Sequence, residues 1–382
     1  MDYSDYKQQT TSRIIEVCDT LSCQPVLFIG AGFSKRLNGL PSWSELLDKV
    51  ASKCPEIDKD YAYYAQKFDT PQKIGSHFST KFHTWAWQGG RNSFPEEFYS
   101  TNETKREDFF KHAICHLIDE LQAENKSTEL GCNNEVLALQ KVTPHAVVTT
   151  NFDTVLEKIL PNYDCIIGQS LLGRNFLSVG EIIKLHGCIT DHRSLILTEE
   201  DYIEFSKKRK YMSAKLLTMF SEHPLLIMGY SVQDENIKSI LSDIDEALGT
   251  PGSLIENIFF VDYLPEIEAK SSYKFEHLIQ VTENRSVRVN CIQASDFSWI
   301  FEAFASQNNP ITIPVKFLRQ LMARSYELVR IRNPKKLEVN YDLLERKLEN
   351  SEEFAQLFGI STLSNASYDS GTYLYTSNRC WN

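Results

Sequence analysis

Five short apolar runs, each ending on glycine or a polar residue, constrain this chain more than any other feature. They are Pro25–Ile29, His145–Thr150, Glu181–Leu185, Pro224–Met228 and Asn257–Val261. Runs this short and this continuously apolar read as parallel strands buried on both faces. Asp164–Ile167 is a weaker run of the same kind, and Val287–Ile292 is the last clear one. Leu195–Thr198 is a further apolar stretch, leading into a helix start at Glu199, Glu200 and Asp201. Between the runs, apolar residues recur at helical spacing: Ile14, Ile15, Val17, Cys18 and Leu21; Val155, Leu156 and Ile159; Ile237, Ile240, Leu241, Ile244 and Leu248. Strands alternating with helices predict an α/β fold, a doubly wound, mostly parallel, Rossmann-like sheet.

The pattern breaks twice. From about residue 51 to 135 no strand-like run occurs, and Phe109, Phe110, Ala113, Ile114, Leu117, Ile118 and Leu121 mark one helical face. This predicts a helical insertion domain over 51–135, splitting the sheet domain into 1–50 and 136–304. Its aromatic stretch, Phe78 to Tyr99, suits either the insertion's own core or a base-binding cleft. Residues 125–134 are polar and read as a loop. From 305 to 382 a helical and irregular extension is expected. Its basic residues, among them Lys316, Arg319 and Arg324, suit a solvated helix face or a contact for an acidic partner.

Charge and cysteine usage narrow the function classes. The formal net charge is −11, which disfavours a protein that works mainly by gripping phosphate backbones. Nine cysteines are scattered without a CxxC pair, which suits reduced thiols rather than a disulfide framework or zinc ribbon. The first residues lack a signal-peptide pattern and no apolar run approaches bilayer length, so a soluble, cytoplasmic protein is expected.

The chemistry gathers at the strand ends, where open α/β sheets bind ligands. The first run stops at Gly30-Ala31-Gly32-Phe33-Ser34, a turn that suits close approach of a phosphate or simply a tight strand-to-helix connection. The second stops at Asn151-Phe152-Asp153. Asp153 suits a helix cap as well as a ligand contact. The third stops at His186-Gly187, the fourth at Gly229-Tyr230-Ser231, and the fifth at Asp262. An acid at a strand end can hold ribose hydroxyls, and His186 titrates near neutrality unless it is a buried core histidine.

Taken together, Gly30-Ala31-Gly32-Phe33-Ser34, the Thr-Thr-Asn-Phe-Asp at 149–153, Lys184-Leu185-His186-Gly187, Gly229-Tyr230-Ser231 and the run from Leu197 to Tyr202 resemble the motif series of the sirtuins. They are most similar to the divergent sirtuin-like domain of bacterial anti-phage effectors. Length and layout resemble the sirtuin-like subunit of systems that pair it with a HerA-type ATPase. The resemblance implies NAD+ as substrate and no metal. It makes Asn151 and His186 a catalytic pair, with Asp153 near nicotinamide or its ribose. Gly30, Ala31, Gly32 and Ser34 would hold the pyrophosphate, and Gly229, Ser231 and Asp262 the adenosine half. Deacetylating sirtuins carry a zinc module with paired CxxC motifs, which this chain lacks. The resemblance therefore points to hydrolysis of NAD+ that starves an infected cell. It also implies a homo-oligomer, with any nucleic-acid contact made through the partner. The alternatives are a protein deacylase or ADP-ribosyl transferase, and a non-catalytic nucleotide-sensing scaffold for a partner ATPase.

Overall fold

A computed structural model describes residues 1–100, 103–124, 133–171, 179–231, 235–248, 252–282 and 284–306. Eight strands form one sheet: β1 (Val26–Ile29), β2 (Ala146–Thr149), β3 (Asp164–Ile167), β4 (Glu181–Lys184), β5 (Leu225–Met228), β6 (Leu254–Tyr263), β7 (Glu276–Thr282) and β8 (Arg285–Ala294). Their order is β3-β4-β2-β1-β5-β6-β8-β7. Every neighbouring pair is parallel except β7 with β8. The expected mostly parallel sheet is therefore present.

The helices are α1 (Tyr3–Leu21), α2 (Ala31–Asn38), α3 (Trp43–Ala51), α4 (Tyr61–Lys67), α5 (Pro71–Gln88), α6 (Arg106–Glu124), α7 (Asn133–Val142), α8 (Val155–Ile159), α9 (Glu199–Glu222), α10 (Glu235–Leu248) and α11 (Ser298–Ala305). Side chains alternate across a strand, so the four fully buried residues of β1 serve both faces of the sheet. Leu27 and Ile29 pack with α1, α2, α7, α8 and α11 on one face. Val26 and Phe28 pack with α9 and α10 on the other. Helix α2 follows β1 onto the first face, and α10 follows β5 onto the second. Because β1 and β5 are neighbours, a crevice opens between the two connections above their carboxyl ends.

A third core fills the helical insertion, built on Phe78, Phe82, Phe109, Phe110 and Ile114. It reaches past the expected boundaries. Leu46, Leu47 and Val50 of α3 join it, as do Cys188, Ile189, Leu195 and Leu197. Most of the aromatics of 78–99 pack into this core, while Trp87 is exposed. The insertion is pinned to α9. Asp201 closes a capping box with Thr198 and accepts from the buried Lys111 of α6 at 2.6 Å.

Three elements differ from expectation. Leu195–Thr198 forms no strand, because Leu195 and Leu197 turn into the insertion's core. Helix α9 runs unbroken to Glu222, where the sequence showed only its two ends. Strand β7 has no apolar run to announce it, since an antiparallel edge strand buries little, here chiefly Ile279. The loop expected over 125–134 falls largely outside the described residues, although Asn133 already opens α7. The extension expected over 305–382, with its basic stretch, lies outside them from residue 307 onward.

Candidate active site

A cavity of about 460 Å³ lies over the carboxyl ends of β1, β2, β4 and β5, a volume suited to a nucleotide-sized ligand. Ala31, Ser34, Asn151, Asp153, His186, Gly229 and Ser231 all line it. The third core supplies its roof through Leu46, Ile118 and Phe152, with Trp43 packed 5.8 Å from Phe152.

Asn151 lies two residues beyond β2. Its backbone N–H is held by Thr149 Oγ1 at 3.0 Å, while the same hydroxyl donates to Ile29 O at 2.7 Å. Its side-chain Nδ2 donates to Ser34 Oγ at 2.9 Å. Ser34 in turn hydrogen-bonds the Asp153 carboxyl. A hydroxyl that donates to the carboxylate presents a lone pair to the amide, so the network fixes which way Asn151 points. Asn151 Oδ1 is buried with no hydrogen-bond partner among the described residues. A buried acceptor left this way awaits a donor, such as a ribose hydroxyl or a water.

Asp153 is buried, and its Oδ1 accepts at 3.0 Å from the N–H of Val155, the first residue of α8. Burial pushes its carboxyl above the usual range, opposed by the nearby Lys184 ammonium. His186 lies two residues beyond β4, also buried. Its ring meets Tyr202 and Phe205 of α9 edge-on, at 5.6 and 5.2 Å. The N-cap of α8 is Thr154, one residue beyond Asp153.

The glycines pack against the end of β5. Gly30 N donates to Met228 O and Gly32 N to Gly229 O, both at 2.9 Å, so these amides hold the end of β5. A side chain at Gly30 or Gly32 would run into Gly229 O, at 2.6 and 2.9 Å. The turn needs glycine because two strand ends press together; of its three residues, Ala31 faces the cavity. Asp262 does not line the cavity. It stands on β6, with β5 between it and β1, and accepts from Gln293 Nε2 at 3.2 Å.

Two residues outside the expected set organise the site. Tyr230 hydroxyl lies 3.1 Å from Ile29 O, 3.3 Å from Thr150 N and 3.0 Å from Thr150 Oγ1, joining the tips of β1, β2 and β5. Lys184 is fully buried and paired with Glu157 at 2.6 Å. Its ammonium also donates to the Asp153 carbonyl and, at 3.5 Å, to the Phe152 carbonyl, holding the 151–153 loop from beneath. A lysine inside an otherwise apolar run was the available signal, because a buried ammonium needs partners.

Residues 145–282 match the model of the SIR2-like domain, a stretch that includes Asn151, His186, Gly229 and Ser231. Two curated proteins are similar to the chain. One is "Defense-associated sirtuin 2" of Bacillus subtilis, 24% identical over 226 residues, covering 57% of this chain and 19% of that protein. The other is "NAD(+) hydrolase ThsA" of Cytobacillus dafuensis, 26% identical over 186 residues, covering 45% of this chain and 37% of the relative. The chain thus spans well under half the length of either. The glycine turn at 30–32 lies outside the 145–282 match, and it reaches the matched stretch through the pairing of β1 with β2.

Proposed function

We propose that this protein hydrolyses NAD+ at the nicotinamide–ribose bond, giving nicotinamide and ADP-ribose, as an effector of anti-phage defence. One observation carries the reading: the oriented amide of Asn151 and the imidazole of His186 line one nucleotide-sized cavity at the strand ends. The names of the two relatives, one defence-associated and one an NAD+ hydrolase, point the same way.

The chemistry suits these groups. Nicotinamide departs from a cationic pyridinium as a neutral base, so no acid need protonate it. What the site must supply is a group that orients ribose and water beside an oxocarbenium-like centre, and a base. Asn151 Oδ1 accepts from a ribose hydroxyl or the water. His186 takes the proton that water loses as it bonds to the ribose carbon. Asp153, acting through Ser34, keeps the amide turned correctly. Aromatic and aliphatic side chains of the insertion exclude bulk water. A HerA-type ATPase partner and self-association belong to the same proposal, as devices that hold the activity off until infection.

The test is chromatography of NAD+, nicotinamide and ADP-ribose after incubation with the full chain, alone and with its partner. Equimolar nicotinamide and ADP-ribose are expected. Transfer of acyl or ADP-ribosyl groups to protein, without free ADP-ribose, would replace this reading.

A further inference from the structure

Cys165 and Cys188 are far apart in the sequence and belong to no motif, yet the fold sets them together. Cys165 lies on β3, the edge strand, and is exposed; Cys188 is buried just past His186. Their sulfurs lie 3.6 and 3.9 Å from the same Glu157 Oε1, which brings the two thiols to one carboxylate oxygen. Lys184 Nζ stands 3.2 Å from Cys188 Sγ. The hydrogen bond from Cys165, together with the Lys184 ammonium, holds the Cys188 thiol below the usual thiol range. Cys188 in turn pushes the Cys165 thiol up. Cys188 Sγ thus lies against a lysine ammonium, while Cys165 is exposed on the edge strand. Such surroundings make cysteine reactive.

We propose that Cys165 and Cys188 form a peroxide-sensitive thiol pair whose disulfide releases the Asn151–Asp153 loop. The thiolate attacks one oxygen of hydrogen peroxide; the O–O bond breaks, and hydroxide leaves and gains a proton as water. The second sulfur then attacks the sulfenic acid, an S–S bond forms, and the hydroxyl departs as a second water. Two electrons pass from the sulfurs to the peroxide, and a dithiol returns them.

The consequence follows from what surrounds Cys188. Ile189 N donates to Phe152 O at 3.0 Å, and Lys184 holds the Phe152 and Asp153 carbonyls while touching Cys188 Sγ. Drawing Cys188 toward β3 disturbs both supports of the loop and the backbone two residues from His186. Control of catalysis by this switch rests on the NAD+ hydrolase reading; the thiol chemistry and the loop response do not.

Full-length protein treated with hydrogen peroxide should be denatured, alkylated and mapped by peptide mass spectrometry. A linked Cys165–Cys188 peptide is expected, and full alkylation of both cysteines overturns the pair. Hydrogen exchange at the amides of 151–155 should quicken in the oxidised form and return with dithiothreitol; unchanged exchange overturns the release. Cys165→Ser, a surface change, should abolish both responses, and retention of either by that variant contradicts the assignment. NAD+ cleavage should be lost on oxidation and regained on reduction. Cleavage absent from reduced and oxidised protein alike counts against the hydrolase reading, while mapping and exchange still decide the switch.

Discussion

Asn151 Nδ2 donates to Ser34 Oγ at 2.9 Å, and this bond couples the tip of β2 to the first turn of α2. Ser34 thereby serves as an orienting group for Asn151. Ser34→Ala leaves the amide free to rotate and the buried Asp153 carboxyl without its hydroxyl donor. Losing a buried partner costs about 1–3 kcal/mol of stability. Misplacing a reacting group costs roughly a hundredfold in rate. We expect NAD+ cleavage to fall by about that factor, with the protein still folded by circular dichroism. Unchanged kcat would mean that Ser34 only packs.

The meeting of Gly229 with Gly30 makes a second prediction. Gly229 has φ +76°, and a Cβ there would lie 2.6 Å from Gly30 O and 2.7 Å from Phe33 N. Gly252 has φ +79° and open space around it. Gly252→Ala should cost only the left-handed backbone term, about 1–2 kcal/mol. Gly229→Ala should cost clearly more, because strand ends must also part. Urea denaturation of the two variants compares them, and equal losses would show that β1 and β5 can separate freely.

Strand ends were legible in the sequence because parallel strands covered on both faces need apolar runs, and each run stops where the ligand side begins. That reasoning located Asn151, Asp153, His186, Gly229 and Ser231 at one cavity. For Gly30 and Gly32 the structure adds a close approach to Gly229, which the sequence could not show, since a glycine that admits a phosphate and one that admits a neighbouring strand look alike there. Asp262 satisfies the rule for an acid at a strand end, but lateral strand order, which the sequence does not show, places it on β6, one strand beyond β5, where Gln293 donates to it. The cluster of Lys184, Glu157, Cys165 and Cys188 belongs to no sequence motif, because β3, β4, α8 and the loop after β4 bring its members together only in the fold.

Lys184 and Glu157 should show strong coupling. Lys184 is fully buried, whereas the Glu157 side chain is 22% exposed. Glu157→Gln strands a buried ammonium and should cost about 3–5 kcal/mol. Adding Lys184→Met removes that charge, so the double variant should recover part of the loss. A double-mutant cycle by chemical denaturation measures this, and simple additivity would argue against a functional ion pair.

His145 should make the fold sensitive to mild acid. Burial, aided by the His223 ring 4.3 Å away, pulls its pKa down to about 4. The unfolded ring titrates near 6.5, so below that pH the unfolded chain binds the extra proton more readily. Stability from the neutral ring is thus present in full above about pH 6.5 and is lost as pH falls toward about 4. Thermal melts across this window should show a slope that His145→Phe reduces. An unaltered slope would assign the acid sensitivity elsewhere.

The most direct trial is NAD+ turnover by the full chain with its partner, comparing wild type, Asn151→Ala and His186→Ala, each verified as folded. We expect nicotinamide and ADP-ribose from wild type and a loss of about 10²–10⁴-fold in each variant. Undiminished turnover in either variant, or intact NAD+ with the activated wild type, would contradict the assignment of this cavity as an NAD+ hydrolase site.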